Sequence, residues 1–195
     1  MLSLKLAACA ALAATLTLAA PVSTTATSIS TSTSTEDINV KPFSFSKWVD
    51  DILDPNVVAL TPEQALEAYY ESINDTTISS PELAKRAGAT CETDNSKRVP
   101  VSDAVWLVNT LAAGGQSPVQ VPIPFISKAV LYSPSKRSSV IGQKNGNLWV
   151  TEPSEYWARA GGLIMDACTW GDKSGGKILM PANQAITVLL YGQGY

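Results

Sequence analysis

The chain has 195 residues, with 14 Lys and Arg against 17 Asp and Glu, a formal net charge of −3, and no histidine. Without histidine there is no Ser–His or Cys–His nucleophile and no histidine-ligated metal site, and the two cysteines outside the N-terminal apolar run, Cys91 and Cys168, are too few for a structural zinc site. Residues 21–86 carry four bases against ten acids, whereas 87–195 carry nine bases against seven acids. The acidity therefore belongs to the first part, and the second is far from the dense Lys/Arg footprint of a nucleic-acid binder.

In chain order, Met1-Leu2-Ser3-Leu4-Lys5 is a short, weakly basic opening, and 6–20 is an unbroken run of Leu, Ala, Thr and one Cys. That run is short for a bilayer span and ends in small residues, as a secretory signal peptide does. Cleavage is expected after Ala19, giving a signal peptide over 1–19; the alternative is an N-terminal membrane anchor. No later stretch is apolar for long enough to form a membrane helix, so no membrane span is expected in the product. With Cys9 removed, Cys91 and Cys168 remain. An even pair in a small secreted domain implies one disulfide, and two buried free thiols are the other reading. The loop so closed has about 78 residues, for which the chain-entropy model gives roughly 4.5 kcal/mol as an upper estimate.

Residues 21–35 form a Ser/Thr tract too polar to fold. Trp48, Val49, Ile52 and Leu53 fall at helical spacing and predict a short amphipathic turn within 43–53. A firmer helix opens at Thr61-Pro62-Glu63-Gln64, where Thr61 is the N-cap, Pro62 suits the first helical position and Gln64 completes a capping box. Its Ala65, Leu66, Tyr69, Tyr70 and Ile73 share one broad face. Asn74 opens a glycosylation sequon with Asp75 and Thr76. This segment either packs its helices on the downstream domain or acts as a disordered spacer. It ends at Lys85-Arg86, which stands at the break in charge and composition, unlike Lys97-Arg98 and Lys136-Arg137. The reading is an acidic, partly disordered pro-region over 20–86 and a domain over 87–195.

Within that domain Ser102 is expected to cap a helix reaching about residue 113, with Val105, Val108 and Ala112 on one face and Gly114-Gly115 at its end. Val119, Val121, Ile123 and Phe125 alternate, but Pro122 and Pro124 restrict them to an edge or extended connector. A short strand is expected over 129–132. Asn145-Gly146, between 140–144 and 147–151, is the best two-residue hairpin signal in the chain. A second helix covers about 153–168, with Trp157, Ala160, Ile164 and Ala167 in a stripe, and Gly161-Gly162 inside it implies close packing against a sheet. Strands over 177–180 and 185–191 finish the chain, and 188–190, apolar on both faces, suits a central strand. The expected fold class is α+β: a small sandwich with an antiparallel sheet of about four strands and two helices packed on one face.

Four stretches carry a family likeness. They are Cys91 with a helix behind it (SDAVWLVNTLAAGG), a second helix ending in Cys168 (YWARAGGLIMDAC), Gly175-Gly176, and the closing strand AITVLLYG. Together they resemble fungal small secreted proteins of the killer-toxin-like and effector-like α/β sandwich kind, although such proteins usually carry several disulfides. The acidic leader and Lys85-Arg86 likewise resemble a pro-region cut by a kexin-type protease. The resemblance implies a secreted, extracellular interaction protein acting on an extracellular or cell-surface target. Members commonly act on competing microbes or host tissue, often without enzymatic activity. The alternatives are a small secreted hydrolase or carbohydrate-binding protein, with a structural wall protein behind them.

The chemistry of the side chains is sparse, and no catalytic residue, cofactor or metal ligand is assigned. Glu152 and Glu155 are a candidate carboxylate pair, yet they sit at a helix N-terminus, where negative charge is stabilising in itself. No local motif supports a Ser–Lys dyad, and residues 171–176 lack the spacing of a phosphate loop. Trp106, Trp149, Trp157 and Trp170 can stack on sugars or pack in the core. The candidate partner-binding residues are Lys136 and Arg137 in a Ser-rich turn, Lys144 beside the expected hairpin tip, and Trp149. If the two connections project on the same side, they form a mildly basic patch suited to an anionic surface or an acidic partner. Solubility alone also explains such surface charges.

Overall fold

In the computed structural model, which describes residues 43–75, 88–122, 127–146 and 149–192, the first element is helix α1 (Phe45–Leu53). The amphipathic turn expected there is a full helix. Ser44 caps it, accepting from the Lys47 N–H at 3.2 Å, and Phe45, Trp48 and Val49 at i, i+3 and i+4 are buried. Helix α2 (Pro62–Asp75) follows. Its capping box is in place: the Thr61 N–H donates to Gln64 Oε1 at 2.9 Å, and the Gln64 N–H donates to Thr61 Oγ1 at 3.3 Å. Ala65 and Tyr69 are buried, while Tyr70 and Ile73 lie outward. The sequon at Asn74 runs into Thr76, and Lys85, Arg86, the signal-peptide stretch and the Ser/Thr tract lie outside the described residues.

Helices α3 (Val101–Ala113) and α4 (Ser154–Cys168) form the centre. Ser102 does not cap α3. The N-cap position is Pro100, which offers no side-chain bond, and the Val101 N–H instead donates to the Asp172 carbonyl at 2.9 Å. Helix α4 begins in the same way after Pro153: the N–H groups of Ser154 and Glu155 donate to the carbonyls of Ser117 and Gly115, both at 2.9 Å. Both helices thus satisfy their first free donors with carbonyls from distant segments, a source that a local reading does not see.

The strands among the described residues are β1 (Thr90–Cys91), β2 (Val99–Pro100), β3 (Pro118–Val121), β4 (Ser127–Tyr132), β5 (Ser138–Lys144), β6 (Val150–Pro153), β7 (Lys173–Ser174), β8 (Gly176–Met180) and β9 (Asn183–Gly192). The fold class is α+β, as expected, but the main sheet has five antiparallel strands in the order β1-β8-β9-β5-β4. Two short ribbons, β2 with β7 and β3 with β6, stand beside it. β9 is central: Val188 pairs with Gly142 of β5 on one side and Ile178 of β8 on the other. Its Ile186, Val188 and Leu190 enter the main core with Trp157, Ile164 and Leu107. On the alternate face, Leu189 and Tyr191 cluster with Ile141 and half-buried Ala129.

Two expectations are corrected. Asn145-Gly146 is not a hairpin tip, because β5 pairs with β4 and β9 while β6 pairs with β3. The Asn145 N–H and side-chain amide are instead held by the carbonyls of Ala185 and Gln184 at 2.8 and 3.2 Å. Gly161-Gly162 does give close packing, but against helices rather than a sheet. A Cβ on Gly161 would lie 2.8 Å from Val108 Cγ2 of α3, and one on Gly162 would lie 2.9 Å from Ser46 Cα of α1.

The compact unit therefore takes in α1 and α2 together with the described residues from Gly88 onward. Of the two readings of the acidic segment, packing on the domain describes these helices. Phe45, Trp48 and Val49 are among the most deeply buried side chains of the protein, and burial is worth about 1.5–3 kcal/mol for each such residue. Cys91 and Cys168 form a disulfide that ties β1 to the end of α4.

Candidate functional site

The β4–β5 connection is a hairpin whose turn is held by three serines, Ser133, Ser135 and Ser138. The Ser133 N–H donates to the Ser138 carbonyl and the Lys136 N–H to the Ser133 carbonyl, both at 2.8 Å. Ser133 Oγ accepts from the Ser138 N–H at 3.2 Å, and Ser135 Oγ accepts from the Arg137 N–H at 3.3 Å. The hydroxyls of Ser135 and Ser138 then donate to Asp103 Oδ2 on the first turn of α3, at 3.0 and 2.8 Å. One carboxylate thereby fastens the hairpin to a buried helix. Lys136 takes a φ of 55°, a conformation uncommon outside glycine that persists where the surroundings enforce it. Here the enforcing contacts are the turn's own hydrogen bonds.

Beside this turn lies a groove of about 360 Å³. Lys128 and Tyr132 of β4 and Lys136 and Arg137 of the turn line it, with Ser127 and Ser139 also on the wall and Ala129 and Ile141 an apolar floor. Among the described residues its lining holds three cationic side chains and no carboxylate, since Asp103 is engaged by the serines behind the turn. Lys128, Lys136 and Arg137 are exposed, and Tyr132 is 58% exposed. Cations held on a rigid turn, hydroxyl donors and an aromatic edge suit an anionic ligand with some apolar body.

The four expected binding residues do not form one patch. Lys136 and Arg137 are at the groove, but Lys144 is only 4% exposed, and its ammonium donates to the Pro122 carbonyl at 3.3 Å. It sits at the far end of β5, six residues from Ser138, which is about 20 Å along a strand. Trp149 is 62% exposed but stands at the entrance to β6, in a different ribbon. The groove residues absent from the sequence reading are Lys128 and Tyr132. They become visible once Pro134-Ser135 is taken as the hairpin turn, which folds β4 back along β5.

Other polar clusters are structural. Glu152 accepts from the Asn183 amide at 2.6 Å, and Glu155 lies in the first turn of α4. Arg98 is buried. Its guanidinium lies 3.6 Å from the Trp170 ring centroid and donates to the carbonyls of Trp170, Cys168 and Lys173. Burial pulls its pKa down from the usual arginine value, against the opposing charge of Asp172. Asp166, near the end of α4, accepts from the N–H groups of Phe45 and Ser46 and from the hydroxyls of Ser44 and Ser46. Among the described residues no group of three or more His, Cys, Asp or Glu is placed to hold a metal ion. Nor is any described helix long and apolar enough to cross a membrane.

Compared with known proteins, the chain matches the model of a domain of unknown function (DUF8794) over residues 86–191. No curated protein and no solved structure matches. The matched span covers more than half of the chain, and the chain belongs to this family.

Proposed function

For this member of the DUF8794 family, we propose a secreted interaction protein that binds an anionic group on a cell surface through the groove at Lys128, Tyr132, Lys136 and Arg137. The observation that carries the reading is the clustering of three cations on a turn locked to α3, with no carboxylate in the described lining. Secretion is supported by the signal-like opening, by Lys85-Arg86 at the charge break, and by a disulfide of the kind that persists in oxidising compartments. An effector-like or killer-toxin-like role, acting by binding and not by catalysis, rests on the resemblance carried by the two helices, Gly175-Gly176 and the closing strand.

The test is binding of the full chain to heparin, as a soluble anionic probe, and to intact cells. At about 1 kcal/mol for each base near an anionic surface, replacing all three with Glu should weaken binding by at least about 100-fold. Added salt should weaken the native protein's binding too. The melting temperature should hardly move, since the three side chains are exposed. A folded triple variant that binds as well as the native chain refutes the assignment. A carbohydrate-binding role is the second reading, favoured by the exposure of Trp149. In that case Trp149→Ala, and not the triple variant, abolishes binding to a neutral polysaccharide.

A further inference from the structure

A buried, apolar interface joins two parts that the dibasic pair would separate. We propose that residues 43–75 remain bound after the chain is cut between α2 and β1, so that the processed protein is a non-covalent complex of two chains. The proposal rests on processing at Lys85-Arg86 and changes its product: the acidic segment is retained as a subunit instead of being shed.

Four independent features of the contact support this. First, α1 contributes Phe45, Trp48 and Val49 to the main core, where each is at most 2% exposed. Second, the backbone of α4 is shaped for α1. Gly162 leaves room for the Ser46 main chain, which a Cβ would meet at 2.9 Å. Third, Asp166 of α4 serves as an N-terminal cap supplied from outside α1, taking the N–H groups of Phe45 and Ser46 at 2.6 and 3.1 Å and the hydroxyl of Ser44 at 2.8 Å. Fourth, α2 adds its own hold. Tyr69 packs on Phe45 with ring centroids 5.1 Å apart, and its hydroxyl donates to the Gly171 carbonyl at 3.3 Å. Losing this segment would strip the hydrogen-bond partners from a partly buried carboxylate and open the apolar core at once. A spacer designed to leave has no need of a glycine cleared for its backbone.

The experiment uses the full chain with the recognition sequence of a specific endoprotease in place of Lys85-Arg86. The purified protein is cut to completion, as judged on a denaturing gel, and then studied by size-exclusion chromatography and native mass spectrometry. The expected result is one peak at unchanged volume containing both chains. They should separate only in denaturant, because residues 43–85 contain no cysteine. Release of the N-terminal chain overturns the proposal, whether the remainder stays folded or aggregates. Ser46→Ala, which takes one hydroxyl from Asp166, and Gly162→Ala should each raise the released fraction several-fold. Asp50→Ala, which breaks only the exposed 2.7 Å pair with Arg159, should leave it unchanged. Retention unmoved by both of the first two variants would also overturn the assigned interface. The engineered cut separates this question from the processing itself: N-terminal analysis of the natural secreted product tests Lys85-Arg86, and its failure there leaves the engineered result intact.

Discussion

At the scale of single residues, Asp166 shows how a partly buried carboxylate is held in balance. Burial pushes its pKa above the ordinary aspartate range, while the hydroxyls and N–H groups of Ser44, Phe45 and Ser46 pull it back. Burial wins, so the folded protein binds this proton more tightly than the unfolded chain does. The associated stability is fully present below the ordinary aspartate pKa, about 4, and is lost as pH rises through the raised folded value. Asp166→Asn removes that slope and turns amide donors toward the N–H groups of α1, a mismatch costing about 1–3 kcal/mol. Urea unfolding at a series of pH values should find the variant less stable, with the gap to the native protein narrowing as pH rises. A constant gap would place the native carboxyl at an ordinary pKa. Lys144 teaches a related lesson. Nothing in the sequence around it distinguishes a surface ammonium from one buried against the Pro122 carbonyl, because that acceptor lies 22 residues away.

At the scale of elements, the features that are readable from sequence are those whose causes are local. The capping box at Thr61 and Gln64, the stripe on α4 and the doubly apolar 188–190 each encode their own placement. The features that escape it are decided by partners distant in sequence. Asn145-Gly146 has strong turn chemistry, yet β5 takes β9 as its neighbour, pairing Lys144 with Ile186, and the strand after Gly146 goes to β3. The true hairpin lies at 133–138, where the turn signal is weaker, and Lys128 and Tyr132 of the groove depend on it. The β5 pairing also explains Gly142. This residue sits in mid-strand, and a Cβ there would lie 2.5 Å from Trp157 Cη2 and 2.7 Å from Val121 Cγ2. Trp157 is fully buried and has no space to yield. Gly142→Ala should therefore destabilise by about 1–3 kcal/mol, as overpacking does, despite the better strand preference of alanine. Denaturant titration followed by tryptophan fluorescence measures it. A neutral or stabilising result would mean that the ring can shift without cost.

At the scale of the whole molecule, two links fasten the fold from opposite directions. Helix α1 grips α4 through Asp166, and β1 grips the end of the same helix through the Cys91–Cys168 disulfide. The disulfide spans a sequence separation of 77 and so closes most of the family-matched region into one loop. For a loop of that length the chain-entropy model gives roughly 4.5 kcal/mol, an upper estimate because the reduced chain keeps some structure. In a protein of this size 1 kcal/mol moves the melting temperature by about 2–4 °C, so the double variant Cys91→Ser/Cys168→Ser should melt up to about 9–18 °C lower. The core is otherwise large enough to fold, since α1, α3, α4 and the five-stranded sheet meet in one apolar cluster. The variant is thus expected to unfold cooperatively at its lower temperature rather than to lose its fold. Differential scanning calorimetry of the native and double-variant proteins, both without reductant, provides the comparison. Equal melting temperatures would show that α1 and the sheet already confine β1, making the disulfide redundant for stability. A variant with no transition at all would show the reverse, that the apolar cluster cannot hold the sheet without the covalent link.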